Sequence, residues 1–592
     1  MRLSGLALIA VLGSAATTLA PHGPANAIEP DAPERLLNAS DVIGLNVRRL
    51  LETNSAVRAE AEDRAALTAA YAARANAPLW IDEAGFTTKA RAVMAELRAA
   101  ADWGLDPRQF TLPDDPGGSL DPNALAAAET TLSLAVLTYA RHARGGRIPE
   151  PSKQLSSYLD RKPVLKDPAE VIDEIATTSD PAAYLRALHP SHRQFHLLRQ
   201  ALVTLRGGGT AAKPDEPEAV RLPQDGPTLL PGKRHPDVAL LRQRLTVEAA
   251  AGEQDVYDEA LREAVIAFQA ANGLNADGLV GRGTRTALNG DTAAQPVRES
   301  AILAAMEQWR WMPEDLGAFH IEVNIPEYSV RVISGNEVVH AERIIVGQTN
   351  NQTPVFSDQM ETVVFQPFWG VPDSIKVNEI LPAIARGGSG ALARQGLRLQ
   401  YNGRDVDATQ VDWSSADIRN YHVYQPPGRS NVLGEVKFLF PNQHQTYMHD
   451  TPTKNLFNSS VRTFSHGCMR VRNPLKLAEA VLSYDKGWSK QMVDQALQDG
   501  PENNQVVLDR KIPVHMIYMT VVAAEDGSLK TFPDVYGHEK RITLALAGRF
   551  NEIDRGRDHL APVQLKRPQV FAQPGYGNSG PINNIFQAIF GF

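Results

Sequence analysis

Residues 463–474, Thr-Phe-Ser-His-Gly-Cys-Met-Arg-Val-Arg-Asn-Pro, contain Cys468, the only cysteine among 592 residues. A lone cysteine forms no intramolecular disulfide, and the plain reading of a free thiol is a small buried apolar residue. Its neighbours argue for chemistry instead. His466 stands two residues before Cys468, so in extended chain both side chains share one face. Gly467 between them lets another group approach the backbone and tolerates a conformation other residues avoid. Upstream, Tyr447-Met448-His449-Asp450-Thr451-Pro452 puts a second histidine at a strand end before a turn signal. A free thiol titrates near ~8.5, so an imidazole able to take its proton is what a cysteine acyl-transfer site needs.

Taken together, His449-x15-Ser465-His466-Gly467-Cys468-Met469-Arg470, with Asn473 after it, resembles the signature of the YkuD-type L,D-transpeptidases, which cross-link bacterial peptidoglycan. Trp309-Arg310-Trp311, Pro354-Val355-Phe356 and Gln366-Pro367-Phe368-Trp369-Gly370-Val371-Pro372 narrow the resemblance to the large YcbB-like branch that carries a peptidoglycan-binding domain. It covers most of residues 65–490.

The resemblance implies that Cys468 attacks the carbonyl joining the third and fourth residues of a donor tetrapeptide stem. D-Alanine leaves, a thioester remains, and the side-chain amine of another stem's third residue resolves it as a 3→3 cross-link. His449 is the expected base. Asp450 should point away from it in extended chain, so a backbone carbonyl rather than a Cys-His-Asp triad orients the ring. His466 either supports the thiolate electrostatically or packs beneath the loop. The oxyanion needs donors placed in advance, for which the amides of Gly467 and Cys468 and the Tyr447 hydroxyl are candidates. Arg470, on the face of Cys468, either binds a diaminopimelate-type carboxylate or braces the loop through backbone carbonyls. Trp369 either walls the cleft or belongs to the core. Ser465 and Asn473 complete the candidate substrate contacts. No cofactor is expected, because the donor peptide bond itself supplies the acyl group. The implied partners are peptidoglycan stem peptides and glycan, with carbapenem-type β-lactams as inhibitors acylating the same cysteine.

Other readings fit less well. A papain-like cysteine peptidase or amidase places its cysteine at a helix N-terminus with the histidine downstream, whereas both histidines here lie upstream. A zinc site would have one cysteine, histidines 17 positions apart and no clear carboxylate. A non-catalytic wall-binding protein leaves Cys468 unexplained. An L,D-carboxypeptidase, with water as acceptor, stays open. The net charge of −8, without a concentrated Lys/Arg run, argues against a nucleic-acid partner.

The whole is expected to be a multidomain α+β protein. Arg2, the apolar run Leu3–Leu12 and Ala25-Asn26-Ala27 read as a cleavable signal peptide over 1–27, hence a periplasmic protein with no transmembrane segment in the mature chain. Residues 28–206, with apolar residues at helical spacing, read as a helical scaffold. The Gly- and Pro-rich stretch 207–235 reads as a linker. Residues 236–290 resemble a small three-helix peptidoglycan-binding domain, on Phe268-Gln269 with Asp277-Gly278 and Gly281. A helix within 291–316 should return to the scaffold. From Phe319 the period becomes two, and 317–525 is expected to form the mostly β L,D-transpeptidase catalytic domain, with a last strand at 514–523. A helical and polar insertion, 375–429, interrupts it after Trp369 and reads as a lid hinged at Gly387-Gly388-Ser389-Gly390, since loops beyond ~12–15 residues are commonly functional. Residues 526–592 form a C-terminal extension, loose from about residue 560.

Overall fold

Between Ala39 and Arg206 the described residues are mainly helical, with the helices Ala39–Thr53, Ala61–Ala73, Thr88–Arg98, Pro122–Gly145, Pro168–Thr177, Pro181–Ala187 and Arg193–Arg206. The computed structural model describes residues 39–53, 60–82, 85–114, 121–207, 220–271, 274, 277–289 and 298–566. The expected signal peptide, most of the linker's Gly-rich half and the last tail residues lie outside them. Helix starts follow local chemistry. Asp121, Asp167 and Asp180 each cap a helix that opens on proline, their carboxylates accepting from the amides of Asn123, Ala169 and Ala183. Ala77–Asp82, where the helical pattern stops, closes on Glu129. That fully buried carboxylate accepts from the Tyr71 hydroxyl at 2.6 Å and the Trp80 amide at 2.9 Å, and burial lifts its pKa to about 7.

Residues 220–289 form a separate small unit around the helices Pro236–Leu245, Glu259–Ala271 and Arg282–Leu288. Its fingerprint residues have a physical role: the Gln269 side chain accepts from the Gly278 amide at 2.9 Å and donates to the Leu279 carbonyl at 2.9 Å, clamping one turn. Residues 220–235 belong to this unit and not to a linker. Leu222 and Leu229 are buried in its core, and the fully buried Arg285 donates to the Pro223 and Pro227 carbonyls. Proline-rich chain without periodicity reads as spacer, but here it is held by long-range contacts.

The helix Glu299–Arg310 packs against Arg193–Arg206, so the chain rejoins the helical region before the β region starts. The strands that follow are β1 (Phe319–Asn324), β2 (Ser329–Ser334), β3 (Glu337–Gly347), β4 (Ser357–Phe365), β5 (Val436–Leu439), β6 (Met448–His449), β7 (Thr463–Ser465), β8 (Met469–Val471) and β9 (Asn504–Ile517). They make one nine-stranded sheet in the order β7-β3-β8-β6-β5-β4-β9-β1-β2, and β2 pairs back onto β3, closing it on itself. Ile321, Val323, Val330, Val332, Val363 and Phe365 are fully buried inside it. Leu477, Ala478, Val481 and Leu482 of the helix Pro474–Lys486 seal one flank, each buried aliphatic worth about 1.5–3 kcal/mol where the side chain is Val- or Leu-sized.

The insertion is a folded unit, not a simple loop. Its first part is helical, including one π-helical turn at Lys376–Ile380, but its second part is β. Arg398–Tyr401, Arg404–Asp405 and His422–Gln425 join Trp369–Gly370 in a four-stranded sheet. Trp369, Ile380, Ile384, Leu399, Trp413 and Val423 give it a core of its own. Past Ile517 the chain forms a hairpin (Val521–Ala523 with Leu529–Thr531) in place of one continuous strand, then the helix His538–Leu546. Residues 553–566 run back across the molecule, so the stretch from 560 to 566 is docked and not loose. Among the described residues no helix is long and apolar enough to cross a membrane.

Candidate active site

The sheet register brings the motif's two halves together. β6 and β8 run parallel with Met448 opposite Met469 and His449 opposite Arg470. That places Tyr447 level with Cys468, and the Met469 amide donates to the Tyr447 carbonyl at 3.1 Å. Because side chains alternate along a strand, Tyr447, His449, Cys468 and Arg470 project to one side. All four line a cavity of about 640 Å³.

The turn between β7 and β8 sets the thiol. Gly467 has φ +114°, in the left-handed region where any side chain is strained. Its carbonyl accepts from Thr353 Oγ1 at 2.8 Å, and the same hydroxyl accepts from the Gly347 amide at 2.9 Å. Ser465 Oγ takes the Gly467 amide at 3.2 Å and gives its own proton to the Cys468 carbonyl. Ser465 thus braces the turn. The Gly467 amide is spent on that brace, which leaves the Cys468 amide as the better oxyanion donor of the two.

Cys468 Sγ lies 3.9 Å from the Gln445 carbonyl. Burial raises its pKa to about 11, against the smaller opposing pull of the Tyr447 amide and the Arg470 charge. The resting thiol is therefore neutral. The thiol keeps partial access to solvent, whereas His449 is buried, and burial with the Arg470 charge holds its pKa down at about 3, so its imidazole is neutral. Its Nδ1 faces the Asp450 carbonyl. A carbonyl can only accept, so Nδ1 carries the hydrogen and Nε2 is the basic nitrogen. The Asp450 carboxylate is engaged elsewhere, accepting from the Glu435 amide at 3.0 Å and pairing with Lys454.

His466 meets a residue that sequence reading did not single out. Its Nε2 is 2.8 Å from Glu379 Oε1, which the π-helical turn of the insertion supplies. The Arg470 guanidinium, 1% exposed, donates to the Phe464 carbonyl and Thr453 Oγ1, which is the bracing geometry, while the residue also lines the cavity. Trp369 is both wall and core: it lines the cavity and is 4% exposed within the insertion's core. Asn473 is not brought to the cavity. Its amide donates to Glu342 Oε2 at 2.5 Å, at the start of the helix Pro474–Lys486. Two further lining residues were also missed, His444 and His559. A histidine three places before Tyr447 was a faint signal for the first, and the tail held none for the second. Among the described residues no three His, Cys, Asp or Glu side chains are placed to hold a metal ion.

A closed β-sheet that presents a neutral thiol, a correctly tautomerised imidazole and a backbone-braced turn in one cavity has the parts of a cysteine acyl-transfer centre. Comparison with known families matches three segments of the chain. Residues 318–500 match the L,D-transpeptidase catalytic domain (YkuD), residues 65–202 a scaffold domain, and residues 234–288 the family described as "Putative peptidoglycan binding domain". The chain thus carries a YkuD-type L,D-transpeptidase catalytic domain together with a peptidoglycan-binding domain. A Haemophilus influenzae protein named "Putative L,D-transpeptidase" is 32% identical over 230 residues, 38% of this chain and 46% of the relative, so the match spans about half of that protein. Among solved structures, an L,D-transpeptidase from Xylanimonas cellulosilytica is matched over 51% of this chain and 100% of its own at 18% identity and a TM-score of 0.16. A fused Zn-dependent amidase/peptidase/peptidoglycan-binding protein from Clostridium acetobutylicum is matched over 49% and 99% at 11% identity and 0.14. Scores this low say nothing about either fold.

Proposed function

We propose that the protein is an exported, periplasmic L,D-transpeptidase of the YcbB-like branch that forms 3→3 peptidoglycan cross-links through a Cys468 acyl-enzyme. The observation that carries this reading is the pairing of β6 with β8, which gathers Tyr447, His449, Cys468 and Arg470 at one cavity. With both partners neutral at rest, the Sγ proton passes to His449 Nε2 as sulfur bonds to the carbonyl carbon between the third and fourth stem residues. The Cys468 amide and the Tyr447 hydroxyl receive the oxyanion. Collapse breaks the C–N bond, and the imidazolium returns its proton to the departing D-alanine amine. An acceptor amine then adds to the thioester, His449 takes its proton, and the sulfur leaves to be reprotonated as thiol. A carbapenem acylates the same sulfur by opening its ring.

Water competes with the acceptor amine for the thioester. The unit over 369–433 is suited to exclude it, because Trp369 and Val371 wall the cavity and Glu379 holds the motif's own His466. The binding domain locates the polymer. The test is incubation with purified tetrapeptide muropeptides and mass analysis of products. A 3→3 dimer with free D-alanine is expected, and neither from Cys468→Ala. Tripeptide without dimer would make the protein an L,D-carboxypeptidase.

A further inference from the structure

Residues 553–566 touch three separate parts of the molecule. On the helical side, Arg555 donates to the Lys153 carbonyl at 3.1 Å and the His559 ring stacks on Tyr158 with centroids 4.0 Å apart. On the catalytic domain, Arg557 donates to the Asn350 carbonyl at 2.8 Å. On the insertion, the Val563 carbonyl accepts from Arg419 at 2.9 Å, and the Val563 and Leu565 side chains pack against the insertion's core. Between these anchors, His559 through Val563 line the Cys468 cavity.

The central pin is a chain of hydrogen bonds. His444 Nε2 lies 3.0 Å from Asp160 Oδ2, a pure acceptor, so Nε2 carries a hydrogen. His559 Nε2 lies 2.8 Å from His444 Nδ1, the second link. Its own Nδ1 is hydrogen-bonded with Ser157 Oγ at 2.8 Å, and its amide donates to the same oxygen at 3.2 Å. Every ring nitrogen of the pair has a partner. Burial, with the neighbouring His444 second, keeps the His559 pKa down at about 4, so its ring is neutral. His444 is followed by Gln445, whose carbonyl faces the thiol.

We propose that this C-terminal strap is one wall of the acyl-transfer site, and that His559, by pinning it, is a positioning residue that decides which molecules reach Cys468. The part concerning stem peptides rests on the proposed function. The strap's cavity face, Leu560-Ala561-Pro562-Val563, is apolar and uncharged, so it suits the aliphatic stretch of a stem peptide and offers nothing to the charged carboxylates, which are left to the Arg470 side. The wall also ties the helical region to the insertion, so the cavity is narrowed without either having to move.

Because Cys468 is the only thiol in the chain, reagent size reads the wall directly. Alkylation rates with iodoacetamide and with a bulky maleimide are compared in the full chain, in His559→Ala and in Val563→Asp, the latter loosening the insertion end. The ratio of bulky to small reagent rates should rise about tenfold in His559→Ala, as expected for losing one or two pinning hydrogen bonds, and should rise also in Val563→Asp, whose side chain leaves the insertion's core. The iodoacetamide rate itself should change little. His559→Gln, which keeps one donor and one acceptor, should recover most of the original ratio, and trypsin should cut at Arg555 and Arg557 faster only in the loosened variants. An unchanged ratio with unchanged proteolysis overturns the strap as a wall. On tetrapeptide, His559→Ala should raise KM with kcat nearly intact; a fall in kcat alone, or no change in KM while the reagent ratio rises, overturns the positioning role. If the wild-type chain converts no tetrapeptide, the proposed function fails while the reagent ratio still decides the wall.

Discussion

The neutral resting thiol makes a quantitative prediction. With Cys468 at about 11 against ~8.5 for a free cysteine, the thiolate is disfavoured by roughly 3 kcal/mol. At pH 8 only about one sulfur in a thousand is ionised, against about a quarter of a free thiol, a deficit of roughly 250-fold. A more basic thiolate is also more nucleophilic, by about tenfold for that difference in basicity, so the net expectation is alkylation roughly 20-fold slower than a free thiol. The assay is the iodoacetamide rate from pH 6.5 to 10. It should climb about tenfold per pH unit without a plateau. On a tetrapeptide, His449→Ala, which removes the basic Nε2, should slow turnover by about a hundredfold. His466→Ala should cost only a few-fold, because Glu379 already occupies that ring's Nε2. A rate that saturates below pH 8 would reveal a thiolate–imidazolium pair and refute the burial argument; equal rates in the two histidine variants would remove His449 as the base.

Other outcomes follow from the same structure. Deleting residues 220–289 and joining the ends with a short linker should weaken binding to intact sacculi but spare turnover of soluble muropeptides; loss of both would give the module a structural role in the cavity. Shortening the unit over 375–429 should shift product from 3→3 dimer towards hydrolysed tripeptide while Cys468 still acylates, and mass analysis of one reaction reads both products. Acid should destabilise the fold: His449 and His538 are held down at about 3 and His515 at about 4, all by burial. Each unfolded imidazole therefore binds a proton that its folded counterpart refuses, so their contribution is whole above pH ~6.5 and is lost below it at up to about 1.4 kcal/mol per pH unit per group. The thermal midpoint should fall steadily from pH 6.5 to 4.5, and a flat profile contradicts the buried-neutral assignment.

What could be read in advance was what is local in the chain. Ser465 bonds to Gly467 and Cys468 within three residues, so motif and geometry coincide there. Gln269 and Gly278 lie nine apart and leave a fingerprint for the same reason. The missing parts come from far away. Glu379 reaches His466 from a different folding unit, and His559 meets Ser157 across 402 residues. Neither contact imposes a period or a spacing. The strap is the extreme case, since most of its residues are exposed and only Ile553, His559, Val563 and Leu565 are partly buried. The β half of the insertion was missed because its strands are only two to four residues long, too short for alternation to register.

The central claim is that Cys468 carries the acyl group, and intact-protein mass spectrometry during turnover of a tetrapeptide muropeptide tests it most directly. The prediction is a transient adduct equal to the stem lacking its terminal D-alanine, mapped by proteolysis to the peptide containing Cys468 and absent from Cys468→Ala. Release of D-alanine by the Cys468→Ala variant, or turnover in the wild type with the adduct on any other residue, would contradict it.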